Sequence, residues 1–183
     1  MEVRVWTKQH ITVLEDIERS GRYIPTKDRI IRDMGNHDHL ILIAYDWLAS
    51  QFPTAIKPAD ATYPVWLSPT REAVMIPDRS SVVFELAVDQ DIVTPININK
   101  WGSILNFSYL PIDESDARRH REKLDAFGLS DAQAVMSRFY PELKQEIISS
   151  WSRLFDDSIS LGGDNYYGII WEVKRQWIKQ IIR

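Results

Sequence analysis

The sequence predicts an α+β fold. The expectation is a single domain over residues 1–183, with a small, mainly antiparallel or mixed sheet. N-terminal, central and C-terminal strands build that sheet, and the helices are grouped between them. Three observations lead there. Strand-like alternation occurs at both ends and in the middle, at Val3–Thr7, Ser81–Val88 and Tyr166–Ile170. Apolar residues at helical spacing cluster between those stretches, as in Leu40, Ile43, Ala44, Trp47 and Leu48. The regular strand–helix alternation of a parallel βαβ sheet is missing.

Taken in order, Val3–Thr7 opens the fold as a strand. Thr12 and Glu15 have the spacing of a capping box, so a helix is expected from Thr12, with Val13, Leu14 and Ile17 inward and Gly21 as its stop. Residues 22–38 read as a polar connection with a turn of helix near Arg29–Arg32. The helix of Trp47 closes at Pro53. Tyr63–Leu67 is a short strand, and Pro64 places it at an edge or a strand start. Ile92–Ile96 suggests another strand, and Pro95–Asn99 a turn, before one helical turn that buries Trp101. Asp113 caps a helix that runs to Phe127 and stops at Gly128. Ser130 and Gln133 form a second capping box. Pro141 starts a further helix, continued by Leu143, Ile147, Trp151, Leu154 and Phe155. Residues 171–182 fit either a helix face or a bent strand. Strands from the two chain ends are expected to share one sheet and so to bring the termini together.

Composition narrows the function classes. Apolar residues make up 44% and charged ones 26%, which is the profile of a packed globular chain. The net charge is −4, so the overall balance argues against nucleic acid as a partner. The one basic stretch is Lys174–Arg183, with four cations and no acid. Without cysteine there is no disulfide, zinc–thiolate or thiol nucleophile, which suits a cytoplasmic location. The start, Met1-Glu2-Val3-Arg4, does not read as a signal peptide, and no apolar run is long enough for a membrane span.

Phosphate-loop, dinucleotide, nucleophile-elbow and zincin patterns are all missing from the sequence. Gly162-Gly163 lacks the Lys and helix of a phosphate cradle and reads as a turn. His37-Asp38-His39 has the residue types of a metal site but too few ligands, so no metal is expected. The run Arg118-Arg119-His120-Arg121, balanced by nearby acids, reads as a solvated helix face. Seven Trp residues sit among apolar neighbours and read as core. A cleft lined by two or three of them would suit a flat ligand.

An ordered set of short motifs runs along nearly the whole chain. It comprises Val5-Trp6-Thr7-Lys8-Gln9, Leu14 to Gly21-Arg22-Tyr23, Ala44-Tyr45-Asp46-Trp47-Leu48 and Tyr63-Pro64-Val65-Trp66. It continues with Val83-Phe84-Glu85-Leu86, Trp101 with Leu105-Asn106, Ser150-Trp151 with Phe155-Asp156, and Trp171-Glu172-Val173-Lys174 with Trp177. With this set the sequence resembles a bacterial family, domain of unknown function 3841. The resemblance implies a stand-alone domain of about this length and carries over no activity.

The layout is also similar to that of ADP-ribosyltransferases: an opening strand with Thr, a helix ending in Gly, and a late-chain Glu. That similarity implies NAD as substrate. Glu172 would be the catalytic carboxylate, binding a ribose hydroxyl and stabilising the oxocarbenium-like centre as nicotinamide leaves. Thr7 and Gln9 would hold the nicotinamide ribose or amide, Tyr63 or Trp66 would stack on the ring, and Arg71 would take a phosphate. The alternatives are a ligand-binding module without catalysis or a protein–protein interaction module. In those, Glu172, Thr7 and Gln9 are ordinary strand polars.

Overall fold

The computed structural model describes residues 1–34, 38–53 and 57–183, and their side chains except those of residues 29, 32–34, 38 and 39. The fold is α+β. The span expected as one domain contains two compact units: Met1–Pro95 with Tyr167–Arg183, and Ile96–Tyr166 between them in sequence.

The first unit holds β1 (Glu2–His10), α1 (Val13–Ser20), β2 (Arg22–Tyr23), α2 (Lys27–Met34), α3 (Asp38–Ser50), β3 (Val65–Leu67) and β4 (Ser81–Asp89). Two further strands, β5 (Thr94–Asn97) and β6 (Tyr166–Ile170), carry the chain out of it and back. After the return come β7 (Val173–Lys174) and β8 (Ile178–Ile182). The main sheet has the order β1–β4–β8, with β4 antiparallel to both neighbours. A two-stranded sheet pairs β2 with β7, and a third has the order β3–β6–β5. Trp6 and Ser68 exchange backbone hydrogen bonds of 3.0 and 2.7 Å, which ties β1 to the end of β3.

Register explains the core. Val3, Val5 and Thr7 stand opposite Val88, Leu86 and Phe84, so all six project from one face of the sheet. That face, with Val13 and Ile17 of α1 and with Tyr23, Val65, Leu67, Ile170 and Val173, forms one buried cluster. Each such aliphatic contributes about 1.5–3 kcal/mol by leaving water. Gly168 of β6 has no room for a side chain: a Cβ there would lie 2.7 Å from Val93 Cγ1.

Three expectations for this unit are corrected. Thr12 precedes α1, but it has helical backbone angles and makes no side-chain cap; its hydroxyl pairs with His10 Nδ1 at 2.9 Å instead. Gly21 does stop the helix, at φ 75°, with its N–H donating to Ile17 O at 2.9 Å. The termini do not meet. β1 and β8 are both antiparallel to β4 and so run the same way; Met1 lies at the Asp89 end and Ile182 at the Val83 end. The connection 22–38 contains β2 and two turns of helix in α2 rather than one. The ambiguous stretch 171–182 is β7, a 3-10 turn at Arg175–Trp177, and β8. His37 and the side chains of Asp38 and His39 lie outside the described residues.

The second unit contains α4 (Ile98–Leu105), α5 (Glu114–Asp125), α6 (Asp131–Met136) and α7 (Pro141–Ser150), followed by a 3-10 turn at Trp151–Phe155. Its helix starts follow local rules. Asp113 accepts from Asp116 N–H at 2.8 Å, Ser130 and Gln133 close a capping box, and Pro141 takes the first turn of α7. The turn expected at Pro95–Asn99 is the end of β5 running straight into a helix start instead. Asn97 accepts from the N–H groups of Asn99 and Lys100 at 3.0 and 3.1 Å, so α4 begins before Trp101. The helix from Pro141 ends at Ser150, earlier than the apolar spacing suggests, and Phe155 is 41% exposed. Among the described residues no helix is long and apolar enough to cross a membrane.

Candidate functional site

The residues singled out in the sequence fall into four places. Glu172 follows β6, and its carboxylate is held by Lys174 Nζ at 3.1 Å and an Arg22 guanidinium nitrogen at 3.4 Å. Thr7 is 2% exposed on the core face of β1, and its hydroxyl accepts from Gln9 Nε2 at 2.8 Å. Tyr63 and Trp66 turn towards α3. The Tyr63 hydroxyl donates to Asp46 at 2.7 Å, and the Trp66 indole donates to the Tyr45 hydroxyl at 3.0 Å. Arg71 is exposed in the loop after β3, at a hollow shared with Arg183. The structure thus joins Thr7 to Gln9, and Tyr63 and Trp66 to one helix, while Glu172 keeps company with Arg22 and Lys174.

The tyrosines beside α3 are neutral at physiological pH. Burial pushes Tyr45 up to about 12, partly offset by the Trp66 hydrogen bond. Burial, then the hydrogen bond and charge of Asp46, raise Tyr63 as well. Their rings meet edge to face at 6.1 Å, a packed arrangement that fixes β3 on α3. Trp101, Trp151 and Trp171 are buried. Among the described residues, the buried indole N–H groups of Trp6 and Trp171 have no hydrogen-bond partner.

The surroundings of Glu172 have more chemistry in them. Arg22 and Lys174 are register partners in the β2–β7 pair, so their side chains share a face. Arg22 also binds Asp60. With Ser20, Gly21, Arg175 and Gln176, these two cations line an open cleft of about 640 Å³. Arg175 N–H donates to Gly21 O at 2.9 Å and fixes the cleft floor to the end of α1. Sequence reasoning found Glu172 but missed Arg22. Lys174 is two residues along from Glu172 and so was visible as a neighbour. The pairing of β2 with β7 joins residues about 150 apart in sequence and leaves no local signal.

The second unit contains a denser polar cluster. Asp116 accepts from the Tyr109 hydroxyl at 2.9 and 3.0 Å, from Arg119 at 2.6 Å, from Arg153 at 3.0 Å and from Ile112 N–H at 3.0 Å. His120 is 4% exposed, stacked on Tyr109 at 3.9 Å, with Nε2 2.7 Å from Asp131 and Nδ1 3.4 Å from Glu146. This is the run that the sequence presents as a solvated face; buried His120 and the ion-paired, exposed Arg119 instead anchor α5. Burial pushes the Asp116 carboxyl up. The hydrogen bonds from Arg119, Ile112 N–H and Tyr109, and the Arg153 charge, outweigh it and hold the group well below the usual carboxylate range. A depressed native pKa contributes stability above the unfolded value of about 3.9, and that contribution is lost as pH falls through and below it. Asp116→Asn is therefore expected to lower the melting temperature at pH 7, and the gap to the parent protein should narrow below about pH 4. A gap that stays constant from pH 7 to pH 3 would show that the Asp116 charge is not what stabilises the cluster.

Nearby, α5 and α7 flank a groove of about 540 Å³ walled by Phe127, Phe139, Tyr140 and Leu143. Phe139 is 87% exposed and Phe127 58%. Among the described residues no group of three or more His, Asp or Glu side chains is placed to hold a metal ion.

A family model described as a domain of unknown function (DUF3841) matches residues 4–179. The chain belongs to this family. The DUF3841 match runs from β1 into β8, so it takes in both compact units and the cleft beside Glu172. No curated protein and no solved structure matches this DUF3841 chain.

Proposed function

We propose that this DUF3841 protein recognises a nucleotide of the NAD class at the cleft between the end of α1 and β7. The observation that carries the reading is the Glu172 carboxylate held by Arg22 and Lys174, which line the cleft together with Arg175. Cations on an open wall suit a pyrophosphate, and guanidinium groups suit it best because they bind two oxygens at once. A carboxylate beside them accepts hydrogen bonds from ribose hydroxyls. In an ADP-ribosyl transfer, the bond from the ribose anomeric carbon to the nicotinamide nitrogen breaks, and its electron pair leaves with nicotinamide. Glu172 then stabilises the positive charge left on the sugar until an acceptor nucleophile attacks. Of the residues singled out in the sequence, this reading draws on Glu172. Thr7 and Gln9 are engaged with each other, Tyr63 and Trp66 with α3, and Arg71 lines a different hollow.

A thermal-shift titration with NAD, with nicotinamide release followed in parallel, tests it. Binding to the folded state raises the melting temperature by mass action, by several degrees at millimolar NAD. Glu172→Gln is expected to keep that shift and to lose nicotinamide release on the order of a hundredfold. A shift without release by the parent protein supports a nucleotide-binding module that is not an enzyme. No shift at millimolar NAD overturns the reading.

A further inference from the structure

At the C-terminal end of β8, three arginines come together without an ion pair among the described residues. Arg183 lines two neighbouring hollows, of about 280 and 410 Å³; Arg71 stands at the first and Arg79 at the second. All three are exposed. Among the described residues, the one carboxylate side chain that lines these hollows, Asp78, is already engaged by Lys8 Nζ at 3.2 Å and by the Ser80 N–H and hydroxyl at 2.8 and 2.7 Å. The first hollow is otherwise aliphatic, with Val74, Met75, Ile76 and Ile182 in its wall. Met75 and Ile76 are 73% and 86% exposed. Their loop is pinned all the same: Lys8 Nζ donates to Ile76 O at 3.1 Å and the Tyr167 hydroxyl to Ala73 O at 3.1 Å. Beside the hollow runs an open strand. β8 borders β4 on one side and no described strand on the other, and Lys179, Gln180 and Ile181 are exposed.

We propose that this edge takes an extended acidic peptide from a partner protein. The peptide pairs with β8 as an added strand, seats an aliphatic side chain in the hollow beside Ile182, and lays its carboxylates on Arg71, Arg79 and Arg183. An open edge offers backbone donors and acceptors to any extended chain, and pockets for alternate side chains give selectivity. A residue opposite Ile182 on the same face would have its Cβ roughly 5 Å away, at the mouth of the hollow. Charge picks the occupant. A second copy of β8 would bring Lys179 and Arg183 against the same cations, which is disfavoured, whereas acidic side chains meet unpaired arginines. Single-stranded nucleic acid is recognised by stacking on aromatic platforms, and among the described residues no aromatic side chain lines either hollow. A register shift at Lys179 limits the regular edge to Gln180–Ile182, so the arginines carry much of the affinity and salt weakens binding.

The test is fluorescence anisotropy of the whole chain with a labelled short peptide of alternating Glu and Val. A Lys–Val peptide and a labelled single-stranded oligonucleotide serve as comparisons, and hydrogen exchange is measured at residues 178–182. The Glu–Val peptide is expected to bind, more weakly in high salt, and to slow exchange at Gln180–Ile182. Arg71→Glu with Arg79→Glu should weaken it about tenfold or more. Both residues are exposed and have no ion pair among the described residues, so the melting temperature should stay unchanged. The proposal is overturned by any of four results: no binding at millimolar peptide, equal binding of the Lys–Val peptide, tighter binding of the oligonucleotide, or binding that leaves β8 exchange unchanged.

Discussion

Trp151→Ala is expected to lower stability by about 3–5 kcal/mol and the melting temperature on the order of 10 °C. Trp151 is fully buried, its indole donates to Ser108 O at 3.0 Å, and its ring stacks on Phe107 at 6.3 Å. Alanine removes one of the two buried tryptophan side chains of the second unit and leaves the Ser108 carbonyl without that donor. The loss falls on a strained neighbour. Phe107 has φ 58°, a left-handed conformation that disfavours a bulky side chain; the hydrogen bonds that close α4, Phe107 N–H to Ile104 O and Ser108 N–H to Ser103 O, both 2.9 Å, and its packing on Trp151 hold it there together. Trp151→Phe keeps most of the apolar surface and loses the indole hydrogen bond, so it should cost much less. Denaturant unfolding of the three proteins measures the difference. Equal stabilities for the alanine and phenylalanine variants would show that packing at this position contributes little.

Lys100→Met is expected to cost about 2–4 kcal/mol although the two side chains have similar length. Lys100 is 0% exposed, and its ammonium donates to the main-chain oxygens of Arg153 at 3.1 Å and Asp156 at 2.7 Å. Those carbonyls lie at the end of the 3-10 turn after α7; Arg153 O also accepts from Asp156 N–H and Asp156 O from Ile159 N–H, both at 3.2 Å, so Lys100 supplies the second and shorter donor to each. Burying an ammonium is itself costly, which works against the wild-type lysine. Methionine forfeits two charge-assisted hydrogen bonds, and that loss exceeds what removing the buried charge gives back. Asp156 provides a second readout. Hydrogen bonds from the Ser158 side chain and N–H lower its carboxyl, burial raises it, and the Lys100 charge lowers it further, so the Asp156 titration should move up in Lys100→Met. Unchanged stability would mean that desolvation of the ammonium cancels its two hydrogen bonds.

The sequence by itself determined the elements whose signals are local. Gly21 stops α1, Asp113 caps α5, Ser130 and Gln133 box α6, and Pro141 opens α7, because each acts on backbone groups within four residues. The α+β class follows from the same kind of reading, since hydrophobic period is a property of neighbours in sequence. Thr12 shows the limit: the box spacing is present, but His10 at the end of β1 competes for the hydroxyl. What only the tertiary structure decided are the encounters between distant segments. β4 accepts β1 on one side and β8 on the other, which settles the form of 178–182 and sends the termini to opposite ends of the sheet. Glu172 was legible as a candidate, but its partner Arg22 was not, because the β2–β7 pair that joins them spans most of the chain. Lys100, His120 and Arg79 look like ordinary surface charges in sequence, and nothing there brings Arg71 to Arg183. Burial and convergence depend on which strand crosses to which, and no window of neighbouring residues contains that information.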